Sequence, residues 1–186
     1  MDISKLYKNK RLVRRLLYGK IFHYLLEYYI THGKWITTFN KFVEYILTKL
    51  KSSSDFYLIQ ISNLDSKELM EILRVYWIRY NKKPKNLIRL YNIAKKEGYI
   101  VRIEYPIIIL KKDKPKHYYI DVLMYNPKKR HVIVIEIKTG TKRRKRSNIK
   151  QTINYERLIK SIPMFNSYKK VEAYIYWYRY DEFEKI

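Results

Sequence analysis

Residues 118–140 read YYIDVLMYNPKKRHVIVIEIKTG, and the placement of charge within that run governs the reading of the whole chain. Tyr118 to Tyr125 is rich in β-forming residues, Asn126-Pro127-Lys128-Lys129 is turn chemistry, and His131 to Lys138 is a second run dominated by Val and Ile. Together they predict a β-hairpin. With Tyr125 near Arg130 or Val132 at the turn, antiparallel register brings Asp121 opposite or diagonal to Glu136. Alternation then puts Val132, Val134, Glu136 and Lys138 on one face, and Ile133, Ile135 and Ile137 on the other. The plain alternative is a solvated edge strand. Against it, a strand apolar on both faces is usually central, and a carboxylate there is costly unless a cation compensates it.

Size and charge narrow the classes of partner. The chain has 186 residues, enough for one well-buried domain, and 41 Lys and Arg against 17 Asp and Glu give a net charge of +24. That excess points to a polyanion. No uncharged apolar run approaches the roughly 20 residues needed to span a bilayer, so nucleic acid is expected and a membrane is not. With no cysteine, disulfides, thiolate nucleophiles, iron-sulfur clusters and cysteine zinc sites are excluded. The start MDISKLYKNKRL lacks the apolar core of a signal peptide, which predicts an intracellular location in the cytoplasm or nucleoid of a host cell. Most of the 21 tyrosines are expected as core filler, with some rings free to stack on bases.

Outward from the hairpin, helical periodicity predicts a first helix from Leu12 to Tyr29 that stops at Thr31-His32-Gly33, and a second from Thr38 to Leu50. Phe56 to Ile61 reads as a short strand. Asp65 or Ser66 caps a third helix over Lys67 to Tyr80, and Pro84 opens a fourth that ends at Glu97-Gly98. Strand signals begin at Tyr99 and run through Leu110. Ser147 and Asn148 cap a helix to about Ser161, and Val171 to Tyr178 is the last strand. The order is helices first, over 1–98, then βββαβ over 99–186, in a single domain.

Two further motifs flank the hairpin. Gly19-Lys20-Ile21-Phe22-His23 is a G-x-x-x-H element in the first helix, followed by Leu26-Glu27; Gln151-Thr152-Ile153-Asn154-Tyr155 is a Q-x-x-x-Y element after the third strand. A mid-helix glycine costs about 1 kcal/mol, so Gly19 calls for the close approach of another backbone. Gln151 and Tyr155, four apart, share one helix face, where plain packing with Leu158 and Ile162 is the simpler role. Taken in order, G-x-x-x-H, D, E-x-K and Q-x-x-x-Y resemble the PD-(D/E)xK nuclease superfamily, and its RecB-like branch in particular, from Gly19 to Tyr155.

The resemblance implies an α/β fold with a restriction-endonuclease-like core, a mixed central sheet flanked by helices, here with an N-terminal helical elaboration. It implies a Mg²⁺- or Mn²⁺-dependent deoxyribonuclease in DNA repair, replication or recombination, acting on single- or double-stranded DNA. His23, Asp121, Glu136 and the Ile137 carbonyl would then hold metal, with His117 the rival imidazole on the face of Asp121. Asp121, Glu136 and Lys138 would be catalytic, with Gln151 and Tyr155 bordering the site. Lys142-Arg143-Arg144-Lys145-Arg146 leaves the strand beside that site and is expected to contact phosphates, and Lys8, Lys10, Arg11, Arg14 and Arg15 to extend the same surface. Many superfamily members carry a glutamate where this chain has Asn86; Glu68, Glu71 and Glu104 are the other acids nearby. The alternatives are a Holliday-junction resolvase, for which a homodimer is expected, and a non-catalytic DNA-binding protein on the same fold.

Overall fold

The computed structural model describes residues 10–52, 66–111, 114–140 and 145–186. They fall into two compact units, Met1–Lys83 and Pro84–Ile186. The expected strand at Phe56 to Ile61 and the cap at Asp65 lie outside the described residues.

The first unit holds α1 (Lys10–His32), α2 (Phe39–Lys51) and α3 (Ser66–Tyr80). Leu17, Ile21, Leu25, Phe42, Ile46 and Leu73 recur at helical spacing and are fully buried. Aromatic rings fill the gaps between helices, with Phe42 stacked on Tyr76 at 5.8 Å between ring centroids. Gly33 ends α1 with φ +70, its N–H donating to the Tyr29 carbonyl at 2.8 Å. Gly19 is different. A Cβ there would meet no atom of the described residues within 4 Å, so the close backbone approach expected from the sequence is not found.

The second unit is α/β. It contains α4 (Lys85–Lys96), β1 (Ile100–Lys111), β2 (Lys114–Asn126), β3 (His131–Lys138), α5 (Lys145–Ser161), α6 (Pro163–Asn166), β4 (Lys170–Trp177) and β5 (Glu182–Lys185). The strands form one mixed sheet in sequence order, antiparallel except for the parallel pair of β3 and β4. Helix α5 is the crossover that a parallel pair requires, and it packs on β4 and β3. The Val- and Ile-rich strand β3 is central and buried along almost its whole length. Tyr125 pairs with Val132 across the turn, one of the two registers the sequence allows.

The elements depart from the sequence reading at several points. Helix α5 begins at Lys145, so Ser147 and Asn148 lie inside it, and the Asn148 carbonyl accepts the Thr152 hydroxyl at 2.9 Å. Helix α6 and strand β5 were not expected, both being four residues long and too short to carry a period. The fourth helix groups with the sheet because its ends are tied to it. Pro84 sits at the N-cap of α4, where it has no side-chain oxygen to offer. Asp181, in the β4–β5 turn, takes that role and accepts the Asn86 N–H at 3.1 and 3.2 Å. At the other end, Gly98 with φ +80 closes a Schellman motif in which the Tyr99 N–H donates to Ala94 at 2.9 Å. The buried Asn126 amide then donates to the Glu97 carbonyl at 2.8 Å and accepts the Lys129 N–H at 3.0 Å, joining the helix end to the hairpin turn.

Candidate functional site

Across the face covered by α5, Ile107, Ile120, Leu123, Val132 and Val134 pack against Tyr155, Ile159 and Phe165. Alternation along β3 carries that face on to Glu136 and Lys138. Along β2 the alternation slips: Ile120 and Leu123 both face α5, although they are three residues apart. The slip coincides with a break in the β1–β2 ladder, where Ile103 pairs with Val122 and Tyr105 with Ile120 but Glu104 and Asp121 between them do not pair. Glu104 takes a left-handed conformation there, φ +49, at a cost of about 1–3 kcal/mol. Irregularities of this kind re-aim side chains.

The residue re-aimed is Asp121. Its Oδ2 accepts the Ile137 N–H at 2.6 Å. The β2–β3 ladder runs only as far as Val122 and Ile135, so beyond that pair the Asp121 carboxylate bridges the strands. One further step of the same register sets Asp121 opposite Glu136.

Glu136 is only 3% exposed. Burying a carboxylate is costly without a compensating cation, and Lys138 Nζ donates to Glu136 Oε1 from two residues along the same face. Lys138 also donates to Gln151 Oε1 at 3.1 Å, and Gln151 Nε2 donates to the Tyr155 hydroxyl oxygen at 2.8 Å. The i, i+4 pair on α5 therefore serves two ends: the Tyr155 ring lies in the core while its hydroxyl holds Gln151 toward Lys138. Burial first, and then the negative charge of Glu136, push the Tyr155 phenol up to about 12; Asp121 adds to the rise and the Gln151 hydrogen bond opposes it. The hydroxyl is therefore neutral at physiological pH.

The parallel partner strand supplies neighbours that sequence reasoning missed. Glu136 pairs with Ile175, and Lys138 with Trp177. Both partners are fully buried, and the Trp177 indole N–H is anchored on Glu184 Oε2 at 3.0 Å. They wall the carboxylate and lysine from one side. No local signal could have found them, since nothing near β3 in the sequence specifies its parallel neighbour.

His23 lies in the N-terminal unit, half-buried on α1 with the Phe22 ring edge-on at 6.5 Å. His117 is exposed, and because its neighbour Tyr118 packs toward α5, it faces the other side of β2. The expectation that it shares a face with Asp121 fails, because the slip resets the alternation between them. Asn86 belongs to the Asp181 cap of α4. In the basic run, Lys142, Arg143 and Arg144 lie outside the described residues, Lys145 begins α5, and Arg146 is exposed. Arg14 lies 3.9 Å from Glu71.

Within the C-terminal unit, no third Asp, Glu or His among the described residues completes a metal-holding group with Asp121 and Glu136. Among the described residues, no helix is long and apolar enough to cross a membrane. Comparison of the chain with family models, with curated proteins and with solved structures finds no match.

Proposed function

We propose that this protein is a metal-dependent nuclease that hydrolyses DNA phosphodiester bonds at Asp121, Glu136 and Lys138. The observation that carries the reading is the hydrogen-bonded set at the slip in β2. Asp121 is held by the Ile137 N–H, Glu136 is buried against Lys138, and Lys138 is held in turn by Gln151, which Tyr155 holds. A sheet has no structural need for two carboxylates, a lysine and a strained residue at one step of its central ladder.

The donor set fits Mg²⁺ or Mn²⁺. Carboxylates are the hard oxygen ligands these ions take, and an ionised carboxylate offers two oxygens that act only as acceptors. Asp121, Glu136 and the Ile137 carbonyl would hold the ion, which when bound supplies Lewis acidity toward a phosphate oxygen and a lowered pKa for an attacking water. The chain's own groups do the rest. Lys138, fixed by two acceptors, keeps a positive charge beside the carboxylates, where it stabilises negative charge on the nucleophile or on the phosphoryl oxygens. Neutral Tyr155 fixes Gln151, and Gln151 fixes the direction of the ammonium group. Ile175 and Trp177 keep water from one side of the pair.

The test is cleavage of labelled linear, circular and four-way-junction DNA with Mg²⁺, Mn²⁺ or chelator, by the native protein and by Asp121→Asn. Cleavage that needs the metal and falls by about 10³-fold or more in Asp121→Asn is the expected result. Equal cleavage by the two proteins would remove the assignment.

A further inference from the structure

Beyond Asp121, strands β1 and β2 continue as a two-stranded ribbon. Tyr105 to Lys111 pairs with Lys114 to Ile120, and β3 meets β2 only from Val122 onward. Pairing is unbroken from Lys116 to Ile120, so alternation holds there and sorts the ribbon into two faces. Ile108 and Tyr119 look outward and are exposed. Lys116, Tyr118 and Ile120 share the other face. There Tyr118 and Ile120 pack in one cluster with Tyr155 of α5, and so does Ile109, the cross-strand partner of Lys116. This is also the face of the candidate site. Burial raises the Tyr155 phenol first, and Glu136, Asp121 and Tyr118 add to the rise, so all three side chains lie around one hydroxyl.

Lys116 stands at the end of this row. It is exposed, and its ammonium sits over the Tyr118 ring, 5.5 Å from the centroid, an attraction that holds the charge on this face. Residues 105–110 and 115–120 contain no acid, so nothing along those stretches neutralises it. A lysine on an unpaired strand edge often serves only to keep other strands away. That role needs neither a ring beneath the ammonium nor carboxylates on the same face, about 17 Å along the strand at Asp121.

We propose that Lys116, held over Tyr118, binds a backbone phosphate of the nucleic-acid strand that crosses Asp121 and Glu136. Such a strand carries a negative charge at every nucleotide, and paired carboxylates repel each phosphate that a metal does not bridge. Cations are therefore needed where the strand leaves the site. On α5, Arg146 and Lys150 are exposed just ahead of Gln151; among the described side chains of the ribbon, Lys116 is the cation on the site's face. Its placement over the ring lowers the entropy cost of gripping a phosphate. The inference rests on the nuclease reading for its ligand and adds the path of the substrate, from the start of α5 across the carboxylates and out along the inner face of the ribbon.

The experiment measures fluorescence anisotropy of a labelled duplex with a single-stranded tail, in chelator so that nothing is cut, over a salt series. Lys116→Ala is expected to weaken binding and to make the log–log salt slope shallower by about 0.7–0.9, the value of one phosphate contact. Lys116→Arg is expected to keep the native slope. Lys96→Ala, which removes an exposed lysine from the last turn of α4, is the reference for charge alone and is expected to change the slope little. A slope unchanged in Lys116→Ala overturns the proposal, as does an equal change in Lys96→Ala or a native protein that does not bind this DNA. Tyr118→Leu keeps an apolar side chain and removes the ring; binding as tight as the native protein's would overturn the part given to the ring. The two readings fail separately. Lys116-dependent binding without metal-dependent cleavage sinks the nuclease and leaves the phosphate contact, whereas metal-dependent cleavage by a protein whose affinity is indifferent to Lys116 does the opposite.

Discussion

At the scale of single residues, Glu136 is the one charged side chain buried among the described residues, a carboxylate in the central strand that Lys138 meets on the same face. Lys138→Met is expected to destabilise the protein by about 3 kcal/mol, because it leaves a buried charge without its cation. Glu136→Gln should cost less, since an amide is cheaper to bury. Urea unfolding of the two variants and the double variant measures the coupling. If the carboxylates take Mn²⁺, excess Mn²⁺ should raise the melting temperature of Lys138→Met, and fail to do so when Asp121→Asn is added. The E-x-K pattern was legible in the sequence because period two is a local property. What could not be read there is that Asp121 would reach the Ile137 N–H instead of lying on an ordinary strand face, which follows from the left-handed Glu104 on a different strand.

At the scale of elements, α4 shows how termini are satisfied from a distance. Asp181 accepts the Asn86 N–H and also the Tyr176 hydroxyl, while the Asn86 side-chain amide donates back to the Asp181 carbonyl at 2.6 Å. Asp181→Ala should lower stability by about 1–2 kcal/mol, with Asp181→Asn losing less because it can still cap. Thermal unfolding distinguishes the two. A second prediction concerns the start of β4, where Glu172 meets His131 at 2.8 Å, Lys170 at 3.1 Å and Lys185 at 2.5 Å, with the Tyr174 hydroxyl at 3.3 Å. Burial alone would raise this carboxyl, but hydrogen bonds from Lys185 and Lys170 outweigh it and hold it down at about 2, from an ordinary 4.5. A carboxyl depressed on folding contributes stability that is present above its unfolded value and lost as pH falls through its folded one. The difference in urea midpoint between native protein and Glu172→Gln should therefore be constant above pH 4.5 and shrink toward pH 2. A difference that stays constant through that window would contradict the ion-pair account. The long helices and β1 to β4 were readable from period and punctuation. Strand β5 was not, since its turn uses the non-glycine Asp181 at φ +54 and its four residues carry no usable period.

At the scale of the whole molecule, a charge of +24 makes salt the dominant variable in any nucleic-acid affinity. The native protein should show a log–log salt slope of several units, about −0.9 per neutralised phosphate on duplex and about −0.7 on single strands. Alanine at Lys142 to Arg146 should flatten it while sparing the fold, and a slope unchanged by those five substitutions would take the basic run out of the interface. The division into Met1–Lys83 and Pro84–Ile186 is a property of packing. Sequence composition changes from helical to strand-forming at Tyr99, but α4 belongs with the sheet because Asp181 and Asn126 hold its two ends. By itself the sequence determined the net charge of +24, the helices of the first unit, the hairpin and the shared face of Glu136 and Lys138, which are read from composition or from residues close together in the chain. Only the tertiary structure decided the slip at Asp121, the parallel placing of Ile175 and Trp177 beside Glu136 and Lys138, and the outward face of the ribbon. Those depend on pairings between distant segments, whose partners leave no mark on the local pattern of residues.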